Sequence, residues 1–267
     1  MKHLIYSLGL LWLVVFQTSC CDCEENVKNS EATFLDIGDQ QKPADSAKVA
    51  PDKRLVNIDI DNNTDQVHYG IDISHYQGKI MEEFDPRDSL KFIICKATQG
   101  VSYIDPEFRM NWNTIQEKGF IRGAYHFYIC DEEPRRQAEH FAAVIEDIGN
   151  HDIAPILDIE QGSMSTKVSE KQMEADILVF LERVYELTKR TPILYTDYAF
   201  AQEFLKNEAL NKYPLWLAEY SKRPMPLVPT LWEKTGFKIW QKSDNYNAFS
   251  KSIDFDVYYG HLKTLVK

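Results

Sequence analysis

Residues 153–195 read IAPILDIEQGSMSTKVSEKQMEADILVFLERVYELTKRTPILY. The first run, Ile153 to Asp158, and the last, Pro192 to Tyr195, are short, apolar and rich in branched side chains, as buried strands are. Between them, Ser169 to Thr188 repeats Ile177, Leu178, Leu181, Val184, Tyr185 and Leu187 at roughly helical spacing, with Glu170 and Glu174 near its start. A strand, an amphipathic helix and a second strand in succession form a parallel crossover unit, and this unit sets the class of the fold.

The same alternation extends in both directions. Upstream, Tyr69 to Ser74, Phe92 to Ala97 and Ile121 to Tyr128 have strand composition, while Pro106 to Lys118 and Pro134 to Ile148 have helical patterns that open on proline. Downstream, Tyr198 to Asn207 reads as a helix, and Leu215 to Ala218 and Phe237 to Gln241 read as strands. The expectation is an α/β domain on a parallel sheet, open or closed into a barrel, whose last third is irregular and strand-rich.

Acids recur inside these apolar runs. At a strand end, the period of two turns Asp158 and Glu160 to one face, with Cα atoms about 6.5–7 Å apart. Mutual repulsion and burial would separate their pKa values, giving an acid and a base in one place, as cleavage of a glycosidic bond requires. Asp72 in YGIDISHYQG is a third inward candidate, and Asp254 and Asp256 in IDFD repeat the alternation.

Eight blocks in order, YGIDISHYQG, FIICKATQGVSYIDPEF, IRGAYHFY, PILDIE, PILYT, LWLAEY, IWQ and IDFDVYYG, span Tyr69 to Gly260. Together they resemble glycoside hydrolase family 25, the lysozyme-like N-acetylmuramidases. The resemblance implies a modified TIM-like β/α barrel, Glu160 as general acid and Asp158 as its paired carboxylate. It also implies Asp72 and Asp254 as supporting acids and Tyr125 as an active-site tyrosine. Two positions depart from the usual pattern: Gln99 stands where Glu is common, and Glu219 where a basic or neutral residue is.

Tyr76, Phe127, Tyr195, Trp216 and Trp240 join Tyr125 as candidate groove aromatics, since a flat ring covers the apolar face of a sugar. Gln241 is a candidate partner for sugar amides. His75 and His126 are read as structural. No metal-ligand spacing emerges and no cofactor is expected.

The N-terminus determines the expected compartment. Lys2 and His3 precede an apolar stretch, Leu4 to Phe16, of signal-peptide length. Gln17-Thr18-Ser19-Cys20 then resembles a bacterial lipoprotein processing site, with Gln17 where an aliphatic residue is usual. Residues 1–19 are thus expected as signal peptide, residues 20–66 as a Cys20-lipidated N-terminus and polar tether, and residues 67–267 as the catalytic domain. Such a chain would be exported and held by its lipid at the outer membrane or cell surface, as a monomer acting on peptidoglycan strands.

With 41 acidic and 30 basic residues the net charge is -11, which disfavours nucleic acid as a partner. Cys95 and Cys130 lie in apolar surroundings and read as buried thiols. Two other functions remain open at this level: a noncatalytic glycan-binding surface lipoprotein, and a barrel glycosidase acting on another amino sugar.

Overall fold

Nine strands are present in a computed structural model that describes residues 66–85, 89–248 and 251–267. They are β1 (Gln66–Ile73), β2 (Leu90–Gln99), β3 (Tyr103–Ile104), β4 (Ile121–Phe127), β5 (Ile156–Asp158), β6 (Ile193–Asp197), β7 (Leu215–Ala218), β8 (Ile239–Ala248) and β9 (Lys251–Gly260). β1 pairs with both β2 and β9, so eight strands close into a barrel, and the short β3 hangs on β2 as an antiparallel appendage. The neighbours from β1 through β8 are parallel; β9 is antiparallel to both β8 and β1. The proposed signal peptide, Cys20 and the tether lie outside the described residues, apart from Gln66, which opens β1.

The open or closed alternative is therefore settled as closed, and the irregular last third has a structural cause. Helices α1 (Phe108–Glu117), α2 (Pro134–Val144), α3 (Glu170–Thr188) and α4 (Tyr198–Phe204) occupy the crossovers from β2 to β7. β8 and β9 instead form a hairpin, and the C-terminal α5 (Leu262–Leu265) follows. Closing a parallel barrel with an antiparallel strand needs no crossover helix there.

Local chemistry sets the helix starts. Pro134 occupies the first position of α2, and the Glu133 carboxylate accepts from the backbone N–H groups of Arg135 and Arg136. Ser169 Oγ caps α3 by accepting from Gln172 N at 3.2 Å. The buried stripe of α3 is Met173, Ile177, Phe180, Leu181 and Val184, whereas Tyr185 and Leu187 from the expected apolar face are exposed. Tyr185 lies one residue, or about 100°, beyond the stripe, and Leu187 belongs to the last turn.

The barrel wall separates two apolar layers by the strand period of two. Outward residues such as Ile93, Cys95, Ala124, Leu157 and Leu217 pack with helix residues Trp112, Phe141 and Phe180. Inward residues Phe92, Ile94, Ile121, Ile156, Ile193, Trp216 and Ile239 fill the lower barrel, which Leu262, Leu265 and Val266 close from below. Gly70 is required here: a Cβ would meet the Phe92 ring at 2.3 Å. Cys95 and Cys130 are free, buried thiols.

Candidate active site

Above the apolar layers the inward positions turn polar. On β2, Phe92 and Ile94 lead to Lys96; on β5, Ile156 leads to Asp158, and Glu160 continues beyond it; on β6, Ile193 and Tyr195 lead to Asp197. β9 runs the other way, so its rising order is Tyr258, Asp256, Asp254. These residues converge where the parallel strands end, the face at which such barrels assemble their sites.

The cleft there is lined by Asp72, Tyr76, Tyr125, Phe127, Asp158, Glu160, Tyr195, Trp216, Gln241 and Asp254. These are all the sequence candidates within the described residues except Trp240. The alternation explains the exception: Ile239 and Gln241 point into the barrel, so Trp240 between them points out. Trp240 is fully buried, and its Nε1 donates to the Glu219 carbonyl at 2.7 Å.

One wall is built by β5 and its neighbours. Ile159 N donates to the Tyr195 carbonyl at 3.0 Å and Glu160 N to Ser163 Oγ at 3.2 Å. These bonds keep the backbone extended past Asp158 (Glu160 φ -150°, ψ -176°), so both carboxyls enter one cleft. Burial, followed by the Glu160 charge, pushes the Asp158 carboxyl well above its ordinary range, while Lys96 opposes the shift. Glu160 is raised by burial and then by Asp197, again opposed by Lys96. Lys96 Nζ donates to Gln99 Oε1 at 2.7 Å and lies 4.7 Å from the Phe127 ring centroid. Burial lowers its pKa, and the charges of Asp158, Asp105 and Glu160 offset that.

The opposite wall belongs to β1, β8 and β9. Asp72 and Asp254 are direct cross-strand partners, a placement that is unfavourable for two like charges. Gln241 Nε2 donates to Asp72 Oδ2 at 2.7 Å, and Trp216 Nε1 donates to Asp256 Oδ1 at 2.8 Å. Burial raises Asp72 well above the usual range, with Asp256 and Asp254 adding to it and Gln241 opposing. Burial raises Asp256 too, opposed first by the Trp216 bond. Burial and then Asp244 push Asp254 to about 6. Tyr125 is kept a neutral phenol by burial and by Asp72 and Asp158.

The model of glycosyl hydrolases family 25 matches residues 71–250. The chain belongs to that family. Among the relatives of this family 25 hydrolase, YegX, an uncharacterized protein of Escherichia coli, is 30% identical over 204 residues, 74% of this chain and 71% of its own length. The N,O-diacetylmuramidase of Chalaropsis sp is 32% identical over 197 residues, 70% of this chain and 92% of its own. The crystal structure of a bacterial lysozyme from Streptomyces coelicolor superposes with a TM-score of 0.64 at 28% identity, covering 74% of this chain and 95% of the lysozyme.

Lys96 and Asp197 went unselected in the sequence, although each lies two residues beyond an inward strand position, Ile94 and Tyr195, and Asp256 was noted only as continuing the alternation of IDFD. Their signal was the period of two carried one step further. Both histidines of the family 25 blocks lie outside the cleft lining. His126 faces the helices, with Nδ1 2.7 Å from Thr98 Oγ1 and Nε2 3.2 Å from Gln137 Oε1, and burial lowers its pKa to about 3. His75 Nδ1 is 2.6 Å from the buried Asp105 carboxylate, which also accepts from the His75 backbone N–H at 3.1 Å. That pair holds the turn bearing Tyr76, whose ring lies 4.1 Å from His75 and is 82% exposed at the cleft lip.

Proposed function

We propose that this hydrolase is an N-acetylmuramidase that cleaves the β-1,4 bond between N-acetylmuramic acid and N-acetylglucosamine in peptidoglycan, with Glu160 as general acid and Asp158 as its paired carboxylate. The observation that carries the reading is the convergence of these two acids, in unequal surroundings, beside a single buried-stem cation, Lys96. The relatives' names supply the substrate class.

Acids this close share protons rather than ionise together. Asp158 lines the cleft, and its carboxyl is an acceptor suited to the N–H of a 2-acetamido group. A donor there would stabilise the Asp158 anion and leave the shared proton on Glu160. Glu160 then gives its proton to the leaving glycosidic oxygen while the acetamido carbonyl oxygen attacks the anomeric carbon. In the second half, water attacks that carbon, its bond to the acetamido oxygen breaks, and the water's proton passes to the Glu160 carboxylate, giving net retention. The first-formed anomer in proton NMR is expected to be β; an initial α product would exclude this course.

The substrate is tested by digesting peptidoglycan and chitin with purified protein and identifying the new reducing ends by mass spectrometry. Muramic-acid ends from peptidoglycan are expected. Ends only from chitin would identify a different amino-sugar hydrolase, and no ends from any wall type would leave a glycan-binding protein.

We also infer export and lipid anchoring through Cys20 at the outer membrane or cell surface, supported by the charged start, the apolar stretch of residues 4–16 and the small residues before Cys20. A fatty-acid analogue should label the wild type and not Cys20→Ala; equal labelling of both would exclude the anchor.

A further inference from the structure

Tyr220 follows β7 in a segment without regular structure, and its ring is 48% exposed. Its hydroxyl nevertheless donates to Gln241 Oε1 at 2.6 Å, and the Tyr195 hydroxyl donates to the same oxygen at 2.9 Å. The Gln241 side chain is buried, and its Nε2 donates to Asp72 Oδ2 at 2.7 Å. A continuous chain of hydrogen bonds thus runs from a surface phenol, through one amide, to a carboxyl of the acid cluster.

We propose that Tyr220 is a positioning residue for this cluster: its hydroxyl, together with that of Tyr195, fixes the orientation in which the Gln241 amide holds Asp72. A glutamine amide can present either end to a carboxyl. Phenols donate better than they accept, so two of them on one oxygen favour the orientation with Oε1 toward the tyrosines and Nε2 toward Asp72. In that orientation Asp72 Oδ2 is an acceptor, and the cluster's protons are confined to its remaining oxygens. The two donors also polarise the amide and strengthen its bond to Asp72. Gln241, a candidate partner for sugar amides from its sequence block, thereby has both ends engaged within the protein.

The groups that bear on Asp72 are Asp254 and Asp256 from β9, Asp158 from β5, the neutral phenols of Tyr125 and Tyr195, and Gln241, whose bond favours the Asp72 anion. Tyr220 itself faces Asp254, Asp72, Asp244 and Tyr195, and burial together with these acids raises its pKa, so it remains a neutral donor across the working range. Loss of the Tyr220 hydroxyl should therefore weaken the grip on the Asp72 anion and raise the Asp72 midpoint.

The role rests on the reading of Asp72 as part of the catalytic cluster, but its test needs no substrate and stands apart from the peptidoglycan digest. In protein labelled with carbon-13 at the aspartate carboxyls, the Asp72 signal is identified by its loss in Asp72→Asn and titrated by NMR. Tyr220→Phe removes one hydroxyl and keeps the ring; it should raise the midpoint by about 0.3–0.5 pH unit. Gln241→Met should raise it by about 1–2 units, and adding Tyr220→Phe to Gln241→Met should change nothing more.

A midpoint unmoved within about 0.1 unit in Tyr220→Phe would overturn the proposal by itself, below the range the relay requires. So would a shift that persists in the Gln241→Met background, since Tyr220 would then act directly. In turnover, Tyr220→Phe should move a limb of the pH profile of kcat/KM upward and leave KM unchanged. A raised KM with a fixed Asp72 midpoint would instead mark the hydroxyl as a glycan contact and end the positioning role.

Discussion

The two walls of the cleft both carry carboxyls and manage them by different means. On the β5 wall, Asp158 and Glu160 are raised by burial, but the charge of Lys96 opposes both shifts. On the β1–β9 wall no cation among the described residues ranks with the main groups acting on Asp72, Asp254 or Asp256; their partners are neutral donors, Gln241 and Trp216, and one another. A cation in a low-dielectric site stabilises an anion more strongly than a neutral donor does, so Lys96 favours ionisation on its own wall. On the proposed mechanism, proton transfer belongs to the first wall, while the second shapes the field and the contacts around the sugar.

The largest expected effect breaks the first wall. Glu160→Gln keeps the shape and removes the transferable proton, so kcat should fall by about 10³-fold with an unchanged circular dichroism spectrum. Wild-type turnover by the folded variant would remove Glu160 as the acid.

Lys96→Met should be the next most severe. Without the cation both Asp158 and Glu160 rise, so on the proposed mechanism the acidic limb, set by ionisation of Asp158, and the alkaline limb, set by the Glu160 proton, both move to higher pH. A displacement of about one unit is expected, with the maximum lowered about tenfold. A reduced but undisplaced pH–rate profile would show that Lys96 serves packing instead of charge.

The second wall is tested through stability. Asp254 has an ordinary value of 3.8 and a folded value of about 6, so between these the folded chain holds more protons than the unfolded chain. Stability contributed by the protonated carboxyl is therefore full below 3.8 and lost as pH rises through about 6. Asp254→Asn should raise stability at pH 7 by about 1–2 kcal/mol, discounted for its partial exposure and its coupling to Asp72, and leave it unchanged below the ordinary value. Urea unfolding at both pH values measures this; an equal gain at both would indicate better packing rather than a relieved charge.

Much of this contrast was legible in the sequence. Strands and helices from β1 to β7 are marked by their periods, and the first wall's acids by a spacing of two in an apolar run. β9 was harder to read, because IDFDVYYG carries three polar or acidic inward positions and its direction depends on how a barrel closes, which no local pattern records. Lys96 was hidden for a related reason: in FIICKATQ a single lysine among apolar residues shows neither its partner nor its side of the sheet until Asp158 and Glu160 stand across from it. Gln241 was identified with the cleft, yet its use is set by Tyr195, Tyr220 and Asp72, three residues scattered across the chain.

The smallest expected effect on activity concerns two tryptophans that composition cannot tell apart. Trp216 lines the cleft and its Nε1 bonds the buried Asp256, whereas Trp240 is turned to the outer face and bonds a carbonyl. Trp216→Phe deletes a donor that holds the Asp256 pKa down, so Asp256 should rise and activity should change with pH. Trp240→Phe removes a hydrogen bond and some buried area outside the cleft lining. It should lower stability by about 1–2 kcal/mol while kcat and KM stay within about twofold of the parent. A large KM change in Trp240→Phe at unchanged stability would contradict the alternation along β8 that turns Gln241 inward, and with it the Gln241 bridge across the second wall.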